Sequence, residues 1–321
     1  MRSPLAAGPG GRAGVASYLV IGAGAIGSGV ARALARRGDA VTVASRRGRA
    51  PQLPGVAGVA ADAADAARVA ELARATTAIF NCANPAYHRW ISDWPPIAAA
   101  LLAGAQSSGA VLVTTSNLYA YGRPTGPMSP DDPLSAGYAK AQVRARMWHD
   151  ALAAQRDGRL RASEVRASDY VGPHAASVAS QVLPRLLAGR RCLVLGDPDA
   201  PHSWSYTEDV VATLIAAADQ PVAWGRAWHA PANPPRSQRE LVGDLADAAG
   251  VAPPKVSAIP AAALRLVGLV NPTVRELRHT LYQFTAPFVI DDAATRAELR
   301  LAPTPWPEVL AATVAAARAG G

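Results

Sequence analysis

A doubly wound α/β sheet with a smaller, mainly helical C-terminal lobe is the architecture this sequence predicts, on three observations. Short β-like runs alternate with helical stretches through the first half. The first of these strands runs directly into a glycine-rich turn that opens a helix. After about Pro173 the alternation gives way to a mainly helical pattern. Strands alternating with helices imply βαβ units and a parallel sheet. At 321 residues the chain is long enough for a substantial core, and 50% apolar with 17% charged residues is the balance of a globular protein.

In chain order, residues 17–21 (SYLVI) read as a buried strand, 25–37 as a helix and 40–44 (AVTVA) as a second strand followed by a basic loop. Residues 56–61 form a short strand and 64–75 a helix. Buried strands at 77–82 (TAIFNC) and 110–115 (AVLVTT) flank a helix at 97–106. A long helix from about 138 to 155 precedes a strand at 160–166. Residues 180–187 read as helical although Pro184 lies inside them. A strand at 192–195, a helix at 207–219 and a strand at 226–230 follow, and beyond Asn233 the chain is helical with proline-rich breaks such as Pro253-Pro254. The expected division is a loose tail over 1–16, a nucleotide-binding domain over 17–172 and a substrate lobe over 173–321, with 191–230 returning to the first domain.

The net charge of +8 raises nucleic acid as a partner, but the arginines are dispersed and no recognition helix, zinc-finger spacing or RNP-like strand accompanies them, so no nucleic-acid partner is expected. Cys82 and Cys192, far apart, make neither a disulfide framework nor a zinc site, and they fit a reducing cytoplasm. The tail lacks the apolar core of a signal peptide. Without an uninterrupted apolar run of about 18 residues, no membrane span is expected.

The glycine turn is Gly22-Ala23-Gly24-Ala25-Ile26-Gly27. Gly22 suits a tight turn, Gly24 admits a pyrophosphate close to the backbone, and Gly27 lets the helix pack on the strand; this is the Rossmann dinucleotide pattern. The helix start at Ala25 and Ile26 offers unpaired N–H groups and a positive dipole end to phosphate. An NAD site places an acidic residue about 20 positions past the glycines, at the end of the second strand. Here that place holds Ser45-Arg46-Arg47, two guanidiniums suited to a 2′-phosphate, so NADP(H) is favoured and NAD(H) is the alternative. Asp62, after the third strand, is placed either to bond an adenine amino group or to cap a helix.

Four further stretches sit at strand ends: Asn81-Cys82-Ala83-Asn84-Pro85, Ser116-Asn117-Leu118-Tyr119-Ala120-Tyr121-Gly122, residues 166–173 (RASDYVGP), and Tyr206-Thr207-Glu208-Asp209-Val210. With the glycine motif, they make the chain resemble the NAD(P)-dependent epimerase/dehydratase family, the extended and atypical short-chain dehydrogenases, over nearly its whole length. The resemblance implies a seven-stranded parallel sheet, a C-terminal substrate lobe and an active site in the cleft between them. It places Cys82, Ala83 and Asn84 along the cofactor and Ala167, Ser168 and Asp169 against the nicotinamide.

The family's chemistry uses a Ser or Thr, a Tyr and a Lys, the last two spaced Tyr-x-x-x-Lys so that the lysine lowers the tyrosine pKa. This chain departs from that pattern. Lys140 matches the family lysine and could hold the nicotinamide ribose, but four residues earlier stands Ala136; Tyr138 is only two residues from Lys140 and does not share its helix face. Asn117 occupies the Ser/Thr place, with Ser116 beside it. Tyr119, Tyr138 and Tyr87 are the candidate proton donors. Tyr121 matches a tyrosine that is largely structural. His88, His174 and His202 fall near strand or loop ends facing the cleft, and Tyr87, Tyr170, His174 and Trp204 are candidate substrate contacts. Trp90, Trp94, Trp204 and Trp228 with Tyr282-Gln283-Phe284 either line a pocket or pack the lobe.

The expected function is therefore NADP(H)-dependent oxidation, reduction or epimerisation of a small-molecule metabolite at an atypical centre. A redox-neutral isomerase, dehydratase or cyclase, and a non-catalytic dinucleotide sensor, are the alternatives. A homodimer is a candidate assembly.

Overall fold

A computed structural model describes residues 15–175, 177–276 and 279–319. The expected tail over 1–16 lies, apart from its last two residues, outside them. The strands are β1 (Ser17–Ile21), β2 (Ala40–Ser45), β3 (Val56–Ala60), β4 (Ala78–Asn81), β5 (Val111–Asn117), β6 (Arg161–Ala167), β7 (Asp169–Val171), β8 (Cys192–Val194), β9 (Trp204–Tyr206), β10 (Arg226–His229) and β11 (Val256–Ala258). The helices are α1 (Ala25–Arg36), α2 (Ala66–Leu72), α3 (Trp90–Ser108), α4 (Ala139–Arg156), α5 (Val178–Leu187), α6 (Thr207–Asp219), α7 (Gln238–Ala249), α8 (Ala261–Val270), α9 (Pro272–Glu276), α10 (Ala293–Glu298) and α11 (Trp306–Ala319).

A seven-stranded sheet in the order β10-β6-β5-β4-β1-β2-β3 forms the centre, and every neighbouring pair in it is parallel. Side chains alternate between its faces, and both faces are covered, which explains strands apolar throughout rather than at every second place. Val20, Phe80 and Val113 on one face pack against Val30 and Leu34 of α1 and Val210 and Leu214 of α6. Leu19, Ile79 and Leu112 on the other pack against Val69 of α2, Leu101 of α3 and Trp148 of α4. Each such fully buried side chain contributes roughly 1.5–3 kcal/mol. The strand order reverses between β1 and β4, so a crevice opens at the carboxyl ends of the strands, where α/β sheets take their ligands.

Two elements differ from the sequence reading. The helix expected at 97–106 begins seven residues sooner, at Trp90, and carries Pro95 and Pro96 within it. Each proline removes an intrahelical donor, but Trp90 and Trp94, buried on the helix face toward the sheet, hold the extra turns in place. The stretch 191–230 divides: β10 adds to the sheet edge beside β6 and α6 packs against α1, whereas β8 pairs with β11 in a separate two-stranded sheet. Cys192, Val194 and Val256 join α5, α7 and α11 in the core of the lobe. Beyond α9 the chain returns over the sheet, where Phe288 bridges to His202 and Ile290 to Met128. That return brings Gln283 and Phe288 to the rim of the crevice.

Candidate functional site

The turn between β1 and α1 is fixed by backbone. Gly22 has φ +107°, and a Cβ there would run into the Cys82 carbonyl; a Cβ on Gly27 would run into the carbonyl of Gly22. The Gly22 N–H donates to Ala44 O at 2.8 Å, which ties the turn to the end of β2. Around Gly24 the space a Cβ would fill is open, and as N-cap of α1 it offers no side-chain acceptor to the first-turn amides. No acidic residue lies in that turn. The site thus has the donors, dipole and room that a pyrophosphate needs.

Beyond β2, Arg46 and Arg47 are exposed and, among the described residues, neither forms an ion pair. Ser45 Oγ donates to Arg49 O at 3.1 Å. Asp62 Oδ1 accepts from Ala64 N at 3.0 Å in the turn before α2, while Asp65 is the N-cap of that helix. After β4, Cys82 Sγ lies 3.5 Å from Thr115 Oγ1, and burial pushes its thiol up to about 12, an inert packing group.

A cleft of about 450 Å³ begins at Gly24, Ala25 and Ile26 and continues past Cys82, Ala83 and Asn84. It then meets Ser116, Asn117 and Tyr119 from the end of β5, and Ala167, Ser168, Asp169, Tyr170 and His174 from the end of β6 and beyond. The remaining candidates lie outside its walls. Gly22 and Gly27 are the two ends of the glycine turn, Ser45, Arg46 and Arg47 lie at and just after the end of β2, and Asp62 lies just after β3. Trp204 is buried in the lobe, its Nε1 donating to Arg236 O at 2.8 Å.

Tyr138 and Lys140 diverge. Although α4 begins at Ala139, Tyr138 is its N-cap, in extended conformation, and its ring stacks on His279 at 5.7 Å. Lys140, 3% exposed, pairs with Glu276 Oε2 of α9 at 2.9 Å, and its Nζ sits 3.7 Å from the centre of the Tyr87 ring. Tyr87 packs edge-on against Trp90 at 5.0 Å. Burial raises the phenol pKa of Tyr119, Tyr138 and Tyr170 and pushes Tyr87 up to about 12. All four stay neutral, weakly acidic hydroxyls at neutral pH.

A different pair reaches the cleft through Asp169, which lines it. His202, 1% exposed, is stacked between Phe284 and Phe288 at 5.1 and 5.4 Å. Its Nδ1 faces the Gln283 carbonyl at 3.2 Å and its Nε2 faces Asp169 Oδ2 at 2.9 Å, with Ser168 Oγ at 3.4 Å. With Nδ1 as the donor to the carbonyl, Nε2 is left facing the Asp169 carboxyl and the Ser168 hydroxyl. Asp169 Oδ1 makes no hydrogen bond among the described residues.

Beneath the site, Arg166 Nε donates to Glu164 at 2.7 Å and Nη1 to Tyr121 Oη at 2.5 Å. Tyr121 Oη is 2.9 Å from His229 Nε2, and His229 Nδ1 is 2.9 Å from Asp291 O. Burial lowers the His229 pKa to about 4, so it is a neutral tautomer accepting from the tyrosine. Sequence reasoning left four cleft residues unassigned: Thr115, Arg144, Ala175 and Phe288. No spacing rule marks them, because α4, β5 and the returning chain meet only in the fold.

The sequence matches the model of the NAD dependent epimerase/dehydratase family over residues 18–228. No curated protein matches it. Among solved structures, the WbmH enzyme of Bordetella bronchiseptica, in complex with NAD+, is 20% identical and superposes with a TM-score of 0.73 over 95% of this chain and 98% of its own. The UDP-glucose 4-epimerase of Thermotoga maritima, with UDP-glucose, is 17% identical with a TM-score of 0.78 over 95% and 99%. The dTDP-glucose 4,6-dehydratase of Bacillus anthracis, in complex with NAD, is 16% identical with a TM-score of 0.78 over 95% and 97%. At these identities the likeness is one of fold.

Proposed function

Since the chain belongs to the NAD-dependent epimerase/dehydratase family, we propose that it is an NADP(H)-dependent oxidoreductase or epimerase of a small polar metabolite, with Asp169 and His202 as its proton centre. The observation that carries this reading is that one cleft runs from the glycine turn to Asp169, which pairs with His202, while Lys140 is held by Glu276 off the cleft wall.

The backbone of Gly22 to Gly27 would hold the pyrophosphate, and Ser45, Arg46 and Arg47 the 2′-phosphate. Cys82, Ala83 and Asn84 would run along the dinucleotide, and Ala167 to Asp169 would lie against the ring. When bound, the nicotinamide supplies or takes up the hydride. The protein's part is to orient the substrate and move the proton. Asn117 Oδ1 is occupied by the Tyr119 N–H at 3.1 Å, which aims its amide as a donor, and Ser116 stands beside it. These two hold a substrate oxygen near Asp169. In reduction, the Asp169–His202 pair would pass a proton to that oxygen; in oxidation it would take the proton back. His202 Nδ1–H stays on Gln283 throughout, fixing the ring.

The test is calorimetric titration of the protein with NADPH, NADP, NADH and NAD, beside an Arg46→Ala/Arg47→Ala variant. The reading expects NADP(H) to bind tighter than NAD(H), and the double variant to lose about 100-fold in NADPH affinity while NADH changes less than about threefold. No binding of any of the four would overturn it.

A further inference from the structure

Arg144 is the buried charge that the proposed chemistry leaves unexplained. It lies on α4 one turn beyond Lys140, is 3% exposed and lines the cleft. Nη2 donates to Thr115 O at 2.7 Å and Nη1 reaches only the Met147 sulfur at 3.7 Å. Nε is buried and has no acceptor. No carboxylate lies within 4.0 Å of the guanidinium among the described residues. The acidic residue nearest in function, Glu164 on β6, is engaged by Arg166 at 2.7 Å, so the Arg144–Glu164–Arg166 group keeps one positive charge. A buried cation without a counter-ion costs several kcal/mol.

A second orphan stands beside it. The guanidinium lies over the Trp94 ring, 4.6 Å from its centre, and Trp94 Nε1 is likewise buried without an acceptor. Trp94 also lines the cleft and is 2% exposed. Both unpartnered groups are donors. The missing group is therefore an acceptor, and next to a permanent cation it is an anion. A pyrophosphate is already provided for at the glycine turn, and the planar fork of arginine matches a carboxylate.

We propose that Arg144, with Trp94 Nε1, forms a carboxylate-binding subsite in the cleft, so that the substrate is a carboxylated metabolite. The substrate half of this statement rests on the cleft being the active site proposed above; the subsite itself does not.

The test follows the indole ¹⁵N–¹H resonance of Trp94, assigned with Trp94→Phe, during titration with sodium acetate and with acetamide at constant ionic strength. Acetate is expected to shift the resonance saturably and acetamide, its neutral counterpart, not at all. Arg144→Met is expected to weaken acetate at least tenfold and Arg144→Lys less, with NADPH affinity unchanged within threefold in both. The acetate–acetamide contrast is read on the wild-type protein, so it stands even if a variant fails to fold. Equal responses to the two, no saturable acetate shift, an unchanged response in a folded Arg144→Met, or inorganic phosphate binding tenfold tighter than acetate would each overturn the subsite. NADPH titrated in parallel separates the two ideas: loss of cofactor binding with the acetate response intact defeats the proposed function alone.

Discussion

The cleft has two ends built from different materials. Under β1 and β2 it is backbone: a glycine turn with no room for a Cβ at Gly22 or Gly27, and the start of α1. Under β5, β6 and α4 it is side chains, brought together from Ser116 to Phe288. The first end keeps the strand–glycine–helix turn of the Rossmann pattern, spaced GxGxxG where the family resemblance leads one to expect GxxGxxG. The second has Asn117 where a serine or threonine is expected, Ala136 where a tyrosine is, and a lysine drawn onto Glu276 and Tyr87. Backbone geometry tolerates almost no substitution, whereas a proton can be carried by any suitably held acid, so the chemistry end can be rebuilt while the binding end persists.

Substitutions on the two ends should separate accordingly. The largest effect is expected from Asp169→Asn, which removes the proposed acid: turnover of NADPH should fall by about 10²–10⁴ with NADPH affinity unchanged within about threefold, read by steady-state kinetics beside calorimetry. A joint loss of binding and turnover would erase the distinction between the ends. Gly27→Ala should act the opposite way, forcing a methyl group onto the Gly22 carbonyl and weakening NADPH at least about 100-fold, with stability reduced by about 1–3 kcal/mol in urea unfolding.

The Arg166–Tyr121–His229 network should report on the frame beneath the chemistry end. The folded His229 pKa is about 4, below the ordinary 6.5, so the unfolded chain binds its proton first. Its contribution is complete above about pH 6.5 and is lost as pH falls toward 4, a decline of about 3 kcal/mol. His229→Gln should flatten that part of the stability–pH curve measured by denaturant titration. The smallest effect is expected at Lys140→Met. With the ammonium engaged by Glu276 and the Tyr87 ring rather than a phenol in the cleft, NADPH affinity and turnover should change by no more than about threefold. A fall of 100-fold would return Lys140 to the centre.

The same contrast decides what the sequence made legible. The strand–glycine–helix order predicted β1, α1 and the cofactor turn because the whole pattern lies within one short stretch of chain. Helix α6 matched its expected bounds, since apolar spacing is local too. The α3 start was missed because Pro95-Pro96 reads as a boundary, and only the burial of Trp90 and Trp94 in the folded core outweighs it. Likewise β8 reads as any short strand, and its partner β11 lies far along the chain. At the site, Asp169 was legible from the RASDYVGP stretch, but its partner His202 comes from a loop before β9 and is fixed by Gln283 and Phe288 from beyond α9. Tyr138 and Lys140, two residues apart, share no helix face in the sequence reading, but that Glu276 of α9 holds the lysine is visible only in the fold. Contacts across long stretches of chain carry no local signal.

The most direct test of the account is a crystal structure of the protein with NADP. It predicts the 2′-phosphate on Arg46 and Arg47, the nicotinamide against Ala167 to Asp169 with the Asp169–His202 contact intact, and Lys140 still on Glu276. A structure in which Lys140 has swung to the nicotinamide ribose with a tyrosine hydroxyl beside the ring would contradict it.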